Sequence, residues 1–137
     1  MQTFLPYDTF EESASVLDYR RLGKQRVEGM QIVNAIENPN KQGWQNHPIV
    51  IMWTPYVQAL QLYTNTMINE WIRRGYNNNM KLYDISSIQF PHWLGDKDFH
   101  SSHRSNLLRK DLEYYSQFGW KEDSNLPYIW LNNEESA

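Results

Sequence analysis

Residues 18–28 hold a set of side chains whose spacing suits a single chemical site. The i, i+3, i+4 and i+7 positions, which share one face of a helix, are Arg21, Lys24, Gln25 and Glu28. Cations and an amide on that face can hold phosphate oxygens, and a carboxylate beside them can move a proton. The same face would also suit a solvated helix surface, on which Lys24 and Glu28 form an i,i+4 ion pair.

A second polar stretch, residues 99–110, has the same character. Its candidate binding residues are His100, His103, Arg104, Asn106 and Lys110. Imidazoles, an amide and cations suit contacts with phosphates or with base edges. We predict that this stretch and residues 20–28 face each other across one cleft, because neither cationic face can pack on a core without anions. The alternative is a capped helix whose two histidines bond to backbone carbonyls.

Metal and cofactor chemistry has little support in the sequence. His100 and His103 are three residues apart, and His92 or Asp96 could add a ligand. However, no second helix supplies a Glu-x-x-His partner, and the chain has no Cys. A phosphate-binding loop, a dinucleotide fingerprint and a Gly-x-Ser-x-Gly elbow are also missing from the sequence. We therefore predict neither a metal nor a cofactor.

Aromatic side chains make up 15% of the chain, and several lie at predicted loops or helix ends. These are Trp44, Trp53, Trp93, Trp120, Tyr128 and Trp130. About half of these rings are expected in the core, whereas loop rings beside cations can stack on a base. We select Trp93 and Tyr128 as candidates for stacking. His47 stands at a predicted helix start, where capping competes with ligand binding as its role.

The composition limits the classes of function. A chain of 137 residues is long enough for one domain with a core. The formal net charge is −3, so contacts with phosphates must come from local clusters. No apolar run reaches the roughly 18 residues that a membrane span needs, and the first ten residues lack a signal-peptide pattern. We expect a cytoplasmic protein without membrane contact, and the sequence leaves the oligomeric state open.

Helix signals in the first half of the chain are clear. Residues 1–7 are predicted to be extended and packed against the body. Thr9 and Glu12 form a capping box before a short helix, and Asp18 can cap a longer helix that ends near Ile36.

The second half adds further helices. Residues 48–53 are predicted to be helical, Thr54 to cap the next helix, and Gly75 to end it. The last two helices are predicted over about residues 97–110 and 112–115, with the caps Asp96 or Asp98, and Asp111. A polar loop at 41–47 and an acidic end at 132–137 complete the chain. The sequence therefore predicts an all-α fold, with one compact helical domain over residues 1–137.

Long stretches of the chain resemble a known family. They are residues 1–6, 20–28, 47–48, 70–71, 74–76, 99–110, 118–120 and 126–128, together with Trp53. In these stretches the chain resembles the bacterial and viral branch of the pyrimidine-dimer DNA glycosylase (endonuclease V-like) family. The resemblance implies a compact α-helical fold and a glycosylase/lyase activity.

The resemblance also implies a catalytic group at the chain start. The founding enzymes of that family use an N-terminal α-amine to form a Schiff base at a sugar carbon, supported by a Glu early in the first long helix. Here Met1 would supply the amine. Arg21 stands where the family has that Glu, so Glu28, two turns later on the same face, is predicted to take the acid/base role. We predict that bonds from nearby cations lower the pKa of Glu28.

Two functional hypotheses follow from the residues and the resemblance, beside a third in which the protein is structural or an interaction protein and its polar clusters only cap helices. In the first, the protein is a DNA glycosylase, with or without lyase activity, that acts on a damaged or modified base. Its phosphate contacts would come from Arg20, Arg21, Lys24, Arg104 and Lys110. In the second, a non-catalytic module of the same fold binds a nucleotide or a nucleotide-derived small molecule. The partner is therefore DNA in one case and a nucleotide-derived ligand in the other.

Overall fold

The computed structural model describes residues 1–38 and 46–131. The helices are α1 (Phe10–Val16), α2 (Tyr19–Glu37), α3 (Pro48–Trp53), α4 (Val57–Arg73), α5 (Lys97–Lys110) and α6 (Leu112–Tyr115). Two 3₁₀ turns cover Thr54–Tyr56 and Ser116–Phe118, and no strand occurs in the described ranges. The predicted all-α fold is confirmed.

Side-chain caps begin the helices where the sequence predicts them. The Thr9 hydroxyl accepts the N–H of Glu12 at the start of α1, and the Asp18 carboxylate accepts the N–H of Arg21 at the start of α2. Asp96 accepts the N–H of Phe99 and so caps α5. These caps satisfy donors that a helix leaves without partners in its first turn.

The start of α4 differs from the prediction, whereas its end agrees. Thr54 lies in the 3₁₀ turn after α3, and its hydroxyl donates to the Val50 carbonyl at 2.6 Å instead of capping α4. The hydroxyl is bonded back along α3, so α4 begins at Val57. At the other end, Gly75 has a φ of 92°, a left-handed conformation that suits glycine and ends the helix as predicted.

The most extensive helix–helix contact in the described residues is between α2 and α4. A Cβ atom built on Gly29 of α2 would lie 2.3 Å from the Thr64 hydroxyl oxygen on α4, and one on Gly23 would lie 2.8 Å from the Trp71 ring. Only glycine allows the two helices to approach this closely at those points. Around this contact, apolar side chains of all the longer helices form a core that includes Leu22, Ile32, Val33, Trp53, Leu60, Tyr63, Met67, Phe99, Leu107 and Tyr115.

Some predictions fall outside the described residues. Trp44, most of the predicted loop at 41–47 and the acidic end at 132–137 belong to this group. Among the helices that are described, none combines the length and apolar character needed to cross a membrane.

Candidate active site

One pocket of about 510 Å³ opens beside the start of the chain. Its described lining residues are Met1, Gln2, Phe4, Arg20, Arg21, Lys24, Glu28, His47, Lys110, Tyr128 and Trp130. They come from the N-terminal segment, one face of α2, the start of α3, the end of α5 and the C-terminal segment. The two predicted catalytic residues, Met1 and Glu28, therefore line the same pocket.

Positive charge dominates this pocket. Its lining cations are Arg20, Arg21, Lys24 and Lys110, and Glu28 is the carboxylate among the described lining residues. Burial lowers the pKa of Lys110, and the charges of Arg21 and Lys24 lower it further. The end of α5 and the start of α2 therefore share one cationic site. Of the five candidates predicted on residues 99–110, Lys110 alone is among the described lining residues, so the two stretches meet at this pocket only through that side chain.

Three of the other candidates on α5, His100, His103 and Arg104, bind the protein's own N-terminal segment, which comprises residues 1–7. The N–H of Leu5 donates to Nδ1 of His103 at 2.9 Å, and Nδ1 of His100 donates to the Leu5 carbonyl at 2.7 Å. Arg104 donates to the Pro6 carbonyl at 2.6 Å and forms an ion pair with Glu122. The polar side chains of α5 thus supply hydrogen-bond partners to backbone groups of a segment that is in neither a helix nor a sheet.

These contacts correct the prediction that His100 and His103 bind a ligand. Both rings are buried, and burial lowers the pKa of each, that of His103 to about 3. Nε2 of His100 accepts the Gly95 N–H, which leaves the ring proton on Nδ1 and the ring neutral. The alternative from the sequence, in which these histidines bond the backbone, is the one the structure supports.

Asn106, Trp93 and Arg104 need the same correction. Asn106 is buried and donates to the carbonyls of Ser102 and Leu126, so its amide joins α5 to the C-terminal segment. Trp93 is 2% exposed and packs edge-on against Trp53 in the core. None of the three lines the pocket. The sequence pattern could not separate a polar group that meets a ligand from one that meets buried backbone.

Gln25 does not line the pocket but is fully buried and bonded to two residues that do, Gln2 and Glu28. Its Nε2 donates to the Gln2 carbonyl at 2.8 Å and to Oε2 of Glu28 at 2.7 Å. Its Oε1 accepts the hydroxyl proton of Tyr63 at 2.6 Å. The Tyr63 hydroxyl also accepts the N–H of Phe4 at 2.8 Å. A buried network therefore joins the N-terminal segment to Glu28. The sequence places Gln25 as a binding residue, whereas its amide is used inside the protein.

The pKa of Glu28 moves in the direction opposite to the prediction. Burial raises it, and the charges of Lys24, the Met1 amine and Lys110 oppose that shift without overcoming it. Glu28 accepts its hydrogen bond from the neutral amide of Gln25. The predicted bonds to Glu28 from Arg21, Lys24 or a cation of residues 100–110 are not made. Within residues 1–38 and 46–131, no ion pair joins Glu28 to the Met1 amine. A carboxyl with a raised pKa can accept or donate a proton closer to neutral pH.

The mouth of the pocket carries aromatic and imidazole rings. Tyr128 is half-buried beside His103, and burial raises the pKa of its hydroxyl to about 12. Trp130 is 40% exposed and lies 5.9 Å from the Tyr128 ring, centroid to centroid. Nδ1 of His47 accepts the Ile49 N–H, so His47 both caps α3 and lines the pocket. These rings can contact the apolar faces of a nucleoside.

Several residues of the site are not among the site residues predicted from the sequence. Gln2, Phe4 and Trp130 line the pocket, and Tyr63 supports it from α4. Trp130 is one of the loop aromatic residues noted in the sequence, and an extended segment outside any sheet needs side-chain partners for its backbone, which is the role that Tyr63 fills. As for metal ligands, no group of three or more His, Asp or Glu side chains that could hold an ion occurs in the described part of the chain.

Comparison with known proteins gives one match. A family model described as pyrimidine dimer DNA glycosylase matches residues 1–84, which is more than half of the chain and includes helices α1 to α4. It covers most of the pocket lining, from Met1 to His47. Neither the search of curated proteins nor that of solved structures gave a match.

Proposed function

The chain belongs to the pyrimidine dimer DNA glycosylase family, and from this premise we propose that it removes a damaged or modified base from DNA through the Met1 α-amine. One observation carries the proposal. The Met1 amine and the Glu28 carboxyl line the same cationic pocket, at the end of a segment held along its length by hydrogen bonds. A nucleophile, a proton carrier and phosphate-binding groups are thereby brought together.

The chemistry requires an unprotonated amine beside a proton acceptor. An α-amine is a weaker base than a lysine amine, which suits it to act as a nucleophile. Its nitrogen forms a bond to C1′ of the sugar as the bond from C1′ to the base breaks, and the base leaves with that electron pair. The attached nitrogen then loses a proton to Glu28. The nitrogen electron pair then forms a double bond to C1′ as the bond from C1′ to O4′ breaks, and O4′ takes the proton from Glu28, which opens the sugar ring and gives a Schiff base.

A lyase step can follow from that Schiff base. The imine makes the C2′ proton acidic, and a carboxylate within reach can remove it. The C2′ electron pair then forms a double bond to C3′ while the C3′ phosphate leaves, which breaks the DNA strand. In this proposal Glu28 serves both steps, because it is the carboxylate among the described lining residues.

The cations and rings of the pocket have separate roles in the proposal. Arg20, Arg21, Lys24 and Lys110 hold the phosphates that flank the target nucleotide. Tyr128 and Trp130 contact the nucleoside at the mouth of the pocket. Local positive charge lets a chain with a net charge of −3 engage DNA at this face.

A second function has its own supporting observation. Arg21 occupies the position at which the resemblance places the catalytic Glu, and it lines the pocket. A cation at that position attracts a bound phosphate, but it cannot accept a proton as the family's Glu does. The alternative is therefore a module that holds a nucleotide or a nucleotide-derived molecule without turnover.

Borohydride trapping on DNA with an abasic site tests the first function. Reduction of the Schiff base should give a stable adduct, and peptide mass mapping should place it on the Met1 nitrogen. Acetylation of the amine should abolish the adduct, and one added residue before Met1 should reduce it strongly, since it displaces the nitrogen by about 3.5 Å.

Two outcomes would contradict the amine mechanism. They are the absence of an adduct with folded protein, and strand cleavage that continues at full rate after the amine is blocked. A rise in melting temperature with a nucleotide at moderate salt, without any adduct, would support the binding module instead.

A further inference from the structure

The buried amide of Gln25 is unusual for its place on α2. Its neighbours on the pocket face are charged, yet Gln25 itself is 0% exposed. A buried amide is costly unless its donors and acceptor are all used. Both donors of Gln25 are used, one by the Gln2 carbonyl and one by Glu28, and its acceptor receives the Tyr63 hydroxyl proton.

This set of partners fixes which way the amide points. Turning the amide over would place its oxygen against the Gln2 carbonyl and the Glu28 carboxylate, both of which are acceptors. The Tyr63 hydroxyl accepts the Phe4 N–H, and its own proton faces two acceptors, of which Gln25 Oε1 at 2.6 Å is closer than the Phe4 carbonyl at 3.2 Å. Each hydrogen bond of Gln25 therefore has a defined direction. The Tyr63 hydroxyl on α4 donates to Gln25, and Gln25 donates to the Gln2 carbonyl and to Glu28.

The network treats the two oxygens of Glu28 differently. Oε2 accepts the Gln25 bond, whereas Oε1 has no hydrogen-bond partner within the described ranges. The carbonyl of Gln2, one residue after the Met1 amine, is held by the same nitrogen of Gln25. A single side chain thus sets the nucleophile's segment and the carboxylate relative to each other.

We propose that Gln25 is a positioning residue, which fixes the position of the Met1 segment relative to the Glu28 carboxyl. Its bond to Oε2 of Glu28 leaves Oε1 to exchange protons with the reacting atoms. This inference rests on the proposed glycosylase function. It assigns Gln25 no contact with DNA, so its loss should slow the reaction at the amine and leave DNA binding in place.

The variant Gln25→Met tests the inference, because methionine has nearly the same shape and lacks the amide donors. The rate of adduct formation at saturating DNA should fall about 10- to 100-fold, with the DNA dissociation constant within about twofold. Gln25→Asn, which keeps an amide but is one methylene shorter, is the second variant if Gln25→Met does not fold. It should show the same separation of rate from affinity.

A matched control separates positioning from stability. Asn65 is another amide with both ends bonded, to the backbone N–H and carbonyl of Tyr83, and it does not line the pocket. Asn65→Leu should lower the melting temperature without lowering the adduct rate per folded molecule. An unchanged rate in Gln25→Met, or losses that follow the melting temperature equally in both variants, would overturn the positioning role.

A readout without DNA keeps this test apart from that of the proposed function. In Gln25→Met, the NMR titration of Glu28 should show a higher pKa than in the parent, since Oε2 has lost its donor. The rate of reductive methylation of the Met1 amine should also change as its segment loosens. If the parent forms no adduct, the proposed function fails. If both readouts in Gln25→Met equal those of the parent, the positioning role fails.

Discussion

The backbone N–H of Leu5 and Nδ1 of His103 are joined by a hydrogen bond of 2.9 Å across 98 positions of sequence. Both residues are buried, so water does not compete for this bond. With the bond from His100 to the Leu5 carbonyl and the bond from the Phe4 N–H to the Tyr63 hydroxyl, it holds the N-terminal segment against α5 and α4. Any chemistry at the Met1 amine depends on this attachment.

Replacement of His103 should therefore destabilise the protein and loosen the start of the chain. His103→Leu leaves the buried Leu5 N–H without an acceptor, which should lower the free energy of unfolding by about 1–3 kcal/mol. In His103→Asn the amide oxygen can take the place of Nδ1, so the loss should be smaller. Urea unfolding measures both variants. Equal losses in the two would show that packing of the ring, not its hydrogen bond, matters.

The same histidine predicts how stability depends on pH. Burial lowers the pKa of His103 from 6.5 to about 3, so the unfolded chain binds more protons than the folded one between these values. Its contribution is complete above about pH 6.5 and is lost as pH falls towards 3, by about 2 kcal/mol at pH 5. Burial lowers the pKa of His100 too, with the same sign.

Urea unfolding of the parent and of His103→Asn between pH 7.5 and 4.5 checks this dependence. The parent should lose more free energy of unfolding on acidification than the variant, in which position 103 cannot titrate. Parallel curves would mean that other groups cause the loss.

Glu28→Gln should separate function from stability. Burial raises the pKa of Glu28, so the folded state disfavours its charge, and a neutral amide removes that cost. The Gln oxygen can still accept from Gln25. We expect a change of less than about 1 kcal/mol in the free energy of unfolding and a loss of about 100-fold or more in adduct formation. The control is Glu11→Gln on the exposed face of α1. A parent-like rate in Glu28→Gln would remove Glu28 from the mechanism.

Lys110 should contribute to DNA affinity through its charge. Lys110→Met removes a cation from the pocket lining, whereas Lys97→Met removes the same charge at the other end of α5. Loss of one phosphate contact should weaken binding and reduce the slope of log affinity against log salt by about one. Lys97→Met should leave the slope as it is. Identical slopes in the parent and Lys110→Met would exclude a phosphate contact there.

The sequence predicts those features of the fold whose chemistry is local. The caps at Thr9, Asp18 and Asp96 depend on a side chain and a backbone donor three residues away, so they can be identified from the sequence alone. Thr54 shows the limit of that reasoning, since its hydroxyl had a nearer acceptor in α3.

The site is harder to predict, because burial depends on distant residues. Lys24 and Lys110 line the pocket as predicted, whereas His100 and His103 have the same polar character and are buried against residues 1–7. Whether a polar helix face contacts a ligand or the protein's own backbone depends on the path of another segment, here residues 1–7. The raised pKa of Glu28 follows from burial in the same way.

The two glycines on α2 give the pocket a property that its lining residues do not reveal. Gly29 follows Glu28 and Gly23 precedes Lys24 along the chain, yet the two glycines face Thr64 and Trp71 of α4. A larger residue at either position would push α2 away from α4 and carry Glu28 or Lys24 with it. Substitutions at Gly23 and Gly29 can therefore change the distance between the Glu28 carboxylate and the Met1 amine, although neither glycine lines the pocket.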